Sequence, residues 1–70
     1  MDKIYKKVEV VGVSEASFSD AVQAAIRRAA ETIDNISWFE VQELRGAVSD
    51  GTITQYQVTV KLGFRVDPHE

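Results

Sequence analysis

The chain has 70 residues, a formal net charge of −3, no cysteine and a single tryptophan. Residues 1–70 are long enough for one domain, and a domain this small usually needs disulfides, a metal or partner subunits for stability. The lack of cysteine excludes disulfides and thiolate metal sites, and the acidic balance argues against generic nucleic-acid binding. Association with further copies is therefore the expected route to stability.

The chain shows no targeting or membrane signal. No apolar run approaches the length of a membrane span, and no signal-peptide pattern precedes Lys3. We therefore expect a cytoplasmic protein without a membrane partner. The single histidine, His69, lies in a terminal segment that we interpret as a frayed end, so no metal site is predicted.

Residues 4–13 predict a first strand, because they are rich in β-branched side chains. Val10, Val11 and Val13 place apolar groups on both faces, which indicates that another subunit covers the second face. Residues 17 to about 33 predict an amphipathic helix with apolar side chains at helical spacing. Ser17 and Asp20 resemble a capping box at its start, and Arg27 and Glu31 are expected to pair on its surface.

Two long strand-like runs follow, residues 38–46 and 56–66, and Asp50-Gly51 between them predicts a two-residue hairpin turn. With Ser49 opposite Thr52, two predicted pairs share the apolar face of the sheet: Phe39 with Leu62, and Val41 with Val60. Four predicted pairs share the polar face: Trp38 with Gly63, Glu40 with Lys61, Gln42 with Thr59, and Leu44 with Gln57. The only tryptophan is therefore expected on the polar face, beside a glycine.

Glu43 contradicts this register, since it would lie opposite Val58 on the apolar face. A bulge near Glu43-Leu44 would redirect both Glu43 and Arg45, and would let a long strand curl. The element order predicts an α+β fold, β-α-β-β, with a three-stranded antiparallel sheet curled around one amphipathic helix.

The residue set argues against catalysis, because there is no cysteine, no histidine outside the terminal segment and no glycine-rich phosphate loop. The protein is expected to be a binder and not an enzyme. Four side chains of the polar face suit a planar heterocycle with an imide-like edge and a phosphate tail: Trp38, Gln57, Lys61 and Arg65. A tryptophan buried in a subunit interface with a polar rim is the alternative, and the pattern leaves both open.

The length of the strand limits which residues one ligand can contact. Trp38 and Leu44, the predicted partner of Gln57, are six residues apart, or about 20 Å along a strand. This exceeds the length of a three-ring heterocycle. If one ligand contacts both Trp38 and Gln57, these two residues are therefore expected to come from different copies of the chain.

Six segments, in order and without gaps, carry a specific family pattern: residues 4–12, residues 28–32, Trp38-Phe39-Glu40-Val41, Arg45-Gly46, Tyr56-Gln57-Val58 and Gly63-Phe64-Arg65. Together they resemble the dodecin family. The resemblance implies a hollow homododecamer that binds flavins, typically FMN in bacterial members, for flavin storage and the quenching of photochemistry. Some members of the family also bind coenzyme A.

The resemblance implies a role for each matching residue. Trp38 corresponds to the stacking tryptophan, Gln57 to the glutamine at the pyrimidine edge of the flavin, and Arg45 and Arg65 to basic positions at the FMN phosphate. From their chemistry we expect both arginines to act on the phosphate alone. The candidates for coenzyme A contacts are Lys3, Tyr5, Lys6 and Arg28. The alternatives are a shell protein without flavin function and one that mainly binds coenzyme A.

Overall fold

The computed structural model describes residues 3–67, so His69 lies outside the described residues. The elements follow in the order β1 (Ile4–Ser14), α1 (Phe18–Ala29), β2 (Ile36–Ser49) and β3 (Thr52–Val66). The sheet is antiparallel with the spatial order β1-β3-β2, and α1 packs on β1 and β3. This confirms the predicted α+β fold. We call the sheet face that carries α1 the helix face and the opposite one the open face.

The helix begins where the capping pattern predicts. Ser17 has an extended backbone, and its side chain accepts a hydrogen bond from the backbone amide of Asp20 at 3.0 Å. The helix ends at Ala29, four residues before the predicted end, because the amides of Glu31 and Thr32 bond to carbonyls three residues back, those of Arg28 and Ala29, instead of four. Thr32 and Ile33 follow directly. These two β-branched residues are weak helix formers, which favours ending the helix here.

The predicted surface pair on the helix is also shifted by one residue. Glu31 lies 3.8 Å from Arg28, as an i,i+3 pair, and not beside Arg27 as expected. The pair is largely exposed and contributes little to stability.

The hairpin turn lies where the sequence predicts it. Asp50 and Gly51 both have positive φ angles, of 51° and 76°, as a two-residue type I′ turn requires, and Ser49 lies opposite Thr52. Both strands are longer than predicted: β2 begins at Ile36, before Trp38, and β3 begins directly after the turn.

The β2–β3 pairing has three irregularities, one of which lies at the start of β2. The other two change the face of the residues between them. The register shifts once between Ala47 and Val48, near the turn, and again between Val41 and Glu43. The shifts cancel, so the predicted pairs of Trp38, Phe39, Glu40 and Val41 are all confirmed. The prediction of a bulge near Glu43 is confirmed as well.

The two predicted pairs inside the shifted segment are wrong. Glu43, not Gln42, lies opposite Thr59, and Arg45, not Leu44, lies opposite Gln57. The physical reason is that an extra residue in one strand moves every following side chain to the other face. Glu43 and Arg45 therefore share the open face with Gln57, and the polar misfit on the apolar face disappears.

The core between sheet and helix is small. Among residues 3–67, five hydrophobic residues are buried: Ala21, Ala25, Val58, Val60 and Leu62. Apolar side chains elsewhere stay exposed, among them Val11 and Val13 on β1 and the helix-face residues of β2, Phe39, Val41 and Leu44. The radius of gyration is 14.7 Å, against about 11 Å for a compact domain of this length. One chain alone is thus elongated and leaves much of its apolar surface uncovered.

Gly12 lies where β1 and α1 are in close contact. A Cβ atom at this position would overlap the backbone carbonyl of Ala21 and lie 3.0 Å from the Cβ of Ala25. We expect Gly12→Ala to destabilise the fold and Gly12→Val to destabilise it further, by about 1–3 kcal/mol, since the helix must move away from its core. Denaturant unfolding of both variants is the measurement. A Gly12→Val protein as stable as the parent would show that the helix shifts at no cost.

Candidate functional site

Trp38 lies flat on the open face, over the backbone of Gly63. A Cβ atom at Gly63 would overlap the carbon atoms of the indole, so only glycine leaves room for the ring here. The ring of Tyr5 on β1 meets the indole edge-to-face, with centroids 5.1 Å apart. The indole is still 37% exposed, which leaves it able to stack on a planar ligand.

Charged side chains lie at the edge of the indole. The Trp38 Nε1–H donates to Glu40 Oε2 at 2.8 Å, and Lys7 Nζ contacts the same oxygen at 2.8 Å. Lys61, opposite Glu40 on β3, adds a further positive charge. The Lys7 ammonium first, and the indole N–H second, hold the pKa of Glu40 below its ordinary value. We call Tyr5, Lys7, Trp38, Glu40 and Gly63 the tryptophan cluster.

A second polar group, the glutamine cluster, consists of Glu43, Arg45, Gln55 and Gln57. Arg45 Nε donates to Gln57 Oε1 at 2.8 Å, and Arg45 Nη1 donates to Glu43 Oε1 at 3.3 Å. Gln57 Nε2 donates in turn to Gln55 Oε1 at 2.7 Å. Because a guanidinium can only donate, Arg45 fixes which end of the Gln57 amide is the carbonyl. One acceptor lone pair and one N–H of Gln57 remain for a ligand.

This geometry revises the expectation that Arg45 acts on a phosphate alone, since Arg45 also orients the amide of Gln57. Arg65 differs from it. Its Nε donates to Asp67 Oδ1 at 2.8 Å, and its backbone amide donates to the carbonyl of Asn35 at 3.1 Å. Arg65 lies opposite Tyr5, at the tryptophan end of the sheet.

The four predicted flavin residues therefore fall into two pairs. Trp38 and Arg65 lie at one end of the open face, and Gln57 and Arg45 at the other. Gly63 beneath Trp38 is six residues from Gln57 along β3, or about 20 Å. Although the strand partner of Gln57 is Arg45 and not Leu44, the predicted separation of the two ends holds.

Several residues of the two clusters received no role in the flavin site from the sequence: Tyr5, Lys7, Glu43 and Gln55. Tyr5 and Lys7 belong to β1, whose neighbour in the sheet could not be chosen from the pattern. Once β1 pairs with β3, Lys7 lies opposite Gly63 and reaches across it to Glu40. The alternation of Tyr5, Lys7 and Glu9 was the available signal that these side chains share a face.

The coenzyme A candidates do not converge on one surface. Tyr5 lies on the open face and packs on Trp38, whereas the next residue, Lys6, pairs with Phe64 on the helix face. Lys3 precedes β1, and Arg28 is an exposed residue of the last helical turn. Tyr5 and Lys6 therefore lie on opposite faces of the sheet.

An open apolar groove runs on the helix face between α1 and β2. Its apolar lining consists of Phe18, Val22, Ile26, Phe39, Val41 and Leu44. Among residues 3–67, no group of three or more histidine or acidic side chains is arranged to hold a metal ion. No helix in that same range is long and apolar enough to cross a membrane.

Comparison with known proteins gives a consistent result. The Dodecin family profile matches residues 4–67. Dodecin from Thermus thermophilus is 46% identical over 96% of this chain and 97% of that protein. The crystal structure of the T. thermophilus protein tt0972 superposes with a TM-score of 0.92 at 44% identity, and the match covers 97% of this chain and 100% of the other. Calcium dodecin from Mycobacterium tuberculosis is 28% identical over 93% of this chain and 92% of that protein.

Three further solved structures of T. thermophilus dodecin are the mutants W38F, R45A and R65A, with TM-scores of 0.91, 0.91 and 0.93 and 43% identity to this chain. They cover 96–97% of this chain and 100% of theirs. The residue types and numbers altered in them coincide with Trp38, Arg45 and Arg65 here. From its profile, sequence and fold, this chain belongs to the dodecin family.

Proposed function

We propose that the protein binds a flavin, FMN in the first instance, and sequesters it in a hollow homododecamer that quenches its photochemistry. The observation that carries this proposal is the presentation of Trp38. A lone indole lies flat on the open face, supported by Gly63 and Tyr5, with its own face accessible for stacking. An aromatic plane prepared in this way is suited to a planar ring system.

The remaining residues fit a flavin by their chemistry. The amide of Gln57, oriented by Arg45, offers a donor beside an acceptor, which matches a ring edge that carries an N–H next to a carbonyl. Arg45 and Arg65 are the donors suited to a terminal phosphate, which FMN carries and riboflavin lacks. The bound flavin would supply the chromophore, and the protein would exclude it from solution and orient its ring.

Assembly is part of the same proposal. About 20 Å separates the tryptophan and glutamine clusters, so one ring system contacts both only if they belong to different copies. The exposed apolar residues of β1 and β2 and the open groove beside α1 offer the surface that such copies would cover. Membership of the dodecin family supports an assembly of twelve copies. The same three residue types and numbers, Trp38, Arg45 and Arg65, are the ones altered in the W38F, R45A and R65A mutants of the T. thermophilus relative, which supports their choice as site residues.

The test is to heat the purified protein and identify the released small molecules by mass spectrometry. We expect a yellow preparation that releases FMN, with flavin fluorescence that is quenched until the protein denatures. Release of coenzyme A without flavin would favour the coenzyme A alternative. A colourless preparation that does not quench added FMN or riboflavin would leave a shell protein without flavin function.

Ring recognition and phosphate recognition can be separated by titrating FMN and riboflavin into three variants. We expect Gln57→Ala to weaken both flavins by similar factors, because both present the same ring edge. Arg65→Ala should weaken FMN by about tenfold or more and riboflavin little, since a hydrogen bond to a charged group contributes roughly 1.5–3 kcal/mol. Arg45→Ala should weaken riboflavin as well, because it releases the Gln57 amide.

Salt provides the internal control for this titration. Raising the ionic strength should narrow the gap between FMN and riboflavin in the parent protein, and should leave the riboflavin affinity nearly constant. Equal losses for both ligands in Arg65→Ala would mean that Arg65 holds the structure or a neighbouring copy and not the phosphate.

A further inference from the structure

The tryptophan cluster contains one acidic side chain with two simultaneous partners. A single oxygen of Glu40 accepts the indole N–H of Trp38 and the ammonium of Lys7, both at 2.8 Å. The partners come from different strands, since Lys7 lies on β1, two positions along its strand from Tyr5, while Trp38 and Glu40 lie on β2. The carboxylate thus connects the edge of the indole to the far strand, across Gly63 of β3.

These contacts restrict the indole in complementary ways. Gly63 lies under the ring face, Tyr5 packs against the ring, and Glu40 fixes the direction of the N–H. A tryptophan side chain has only two rotatable bonds. The contacts with Gly63 below the ring, Tyr5 beside it and Glu40 at the N–H together define a single orientation of the ring plane. Of these three contacts, only that of Glu40 is a charge-assisted hydrogen bond, and it is therefore the one that protonation would weaken.

We propose that Glu40 is a positioning residue for ligand binding, which fixes the plane of Trp38 before a ligand arrives and is itself held in place by its contact with Lys7. The inference rests on the proposed function, because the ligand that stacks on Trp38 is the proposed flavin. Its role goes beyond a surface ion pair, since the second partner of the carboxylate is the stacking residue itself. Fixing the ring in advance removes part of the entropic cost of binding.

The charges around Glu40 determine how its contact with the indole responds to pH. Lys7 faces the carboxylate from β1 and Lys61 from β3, and Glu9 lies on the far side of Lys61 in the same row. Lys7 and the indole N–H lower the pKa of Glu40 from its ordinary value of 4.5. A carboxyl whose pKa is lowered in the folded state stabilises that state fully when the pH is above its ordinary pKa. This stabilisation is lost as the pH falls through the pKa of the folded state. The charge-assisted hydrogen bond from the indole to Glu40 should therefore persist at neutral pH and weaken only when the pH falls below the ordinary pKa of a glutamate.

The experiment uses the single tryptophan as its probe. In the assembled protein labelled with ¹⁵N at the indole, the one Nε1–H resonance reports its hydrogen bond without any ligand. We expect Glu40→Ala to shift this resonance and remove its acid titration, and Lys7→Met to keep the hydrogen bond but raise the titration midpoint. Glu40→Gln, which keeps an oxygen acceptor without charge, covers the case in which the alanine variant fails to assemble.

Binding is then measured with riboflavin, which avoids any effect of the phosphate. Glu40→Ala should bind it about tenfold more weakly, the effect of one hydrogen bond of ordinary net strength, and Glu40→Gln should recover part of the loss. Glu9→Gln is the matched control, since it removes a carboxylate from the same row without touching the indole, and should bind normally.

The two readouts separate this proposal from the proposed function. An indole resonance that is the same in Glu40→Ala and the parent would overturn the role of Glu40, whatever the protein binds. So would a riboflavin affinity that does not change in Glu40→Ala. A parent protein that binds no flavin, but whose indole resonance depends on Glu40 as described, would refute the flavin function and leave the positioning of Trp38 by Glu40 established.

Discussion

Replacing Trp38 with alanine is expected to weaken FMN and riboflavin binding by at least about tenfold, while the assembly stays intact. Each aromatic contact contributes roughly 0.5–1.5 kcal/mol beyond the apolar area that it buries, and the proposed flavin would stack on the indole. The indole lies on the open face and outside the buried core, so its loss should not unfold the chain. Fluorescence titration of each flavin, with light scattering for the assembly, is the measurement.

Gly63→Ala provides a second variant that keeps the indole but moves it. An added Cβ would overlap the ring, so the indole must lift away from the sheet. We expect weaker flavin binding here too, with the tryptophan still present. If Trp38→Ala retained full affinity in an intact assembly, the indole would be a structural residue and the ligand would bind elsewhere.

Replacing Leu44 with aspartate is expected to prevent assembly. Leu44 is 57% exposed in one chain, so a lone folded protomer should tolerate the change to within about 0.5 kcal/mol. If the apolar groove beside α1 is covered by another copy, the same change buries an unpaired carboxylate in every protomer, which costs about 3 kcal/mol or more. Light scattering and circular dichroism at micromolar concentration should then show loss of the dodecamer together with loss of folded protein.

Ala16→Asp serves as the control for this change, since it adds the same charge at an exposed residue outside the groove, near the favourable end of α1. It should assemble normally. A Leu44→Asp protein that remains a dodecamer would mean that the groove is not an interface. A parent protein that is a stable, folded monomer across micromolar concentrations would refute the assembly proposal altogether.

The fold was largely predictable because its signals are local. The helix cap at Ser17, the positive-φ turn at Asp50-Gly51 and the alternation of Val58, Val60 and Leu62 each depend on a few neighbouring residues. The turn also fixed the pairing of Trp38 with Gly63, since the two register shifts between them cancel. The helix end was misplaced because Ile33 continues the apolar period, whereas the backbone hydrogen bonds already change after Ala29.

The candidate site was predictable in its residues more than in its contacts. The turn placed Trp38 on the open face, and the resemblance to dodecins added Gln57, Arg45 and Arg65. The contact between Arg45 and Gln57 was not predictable by counting from the turn, because it depends on a shift near Ala47 that leaves no clear mark in the sequence. Tyr5 and Lys7 were missed as partners of Trp38 and Glu40 because the strand that carries them pairs with β3 from far along the chain.

The sequence by itself determined the element order, the family and the placement of the indole on the polar face, since composition, alternation and turn chemistry act over short distances. The tertiary structure decided which side chains meet. It placed Glu40 between Lys7 and the indole, brought Arg45 to Gln57, and left the helix face of β2 uncovered. These outcomes depend on strand order and on where single extra residues enter a sheet, and each such residue reverses the face of all that follow until a second one restores it.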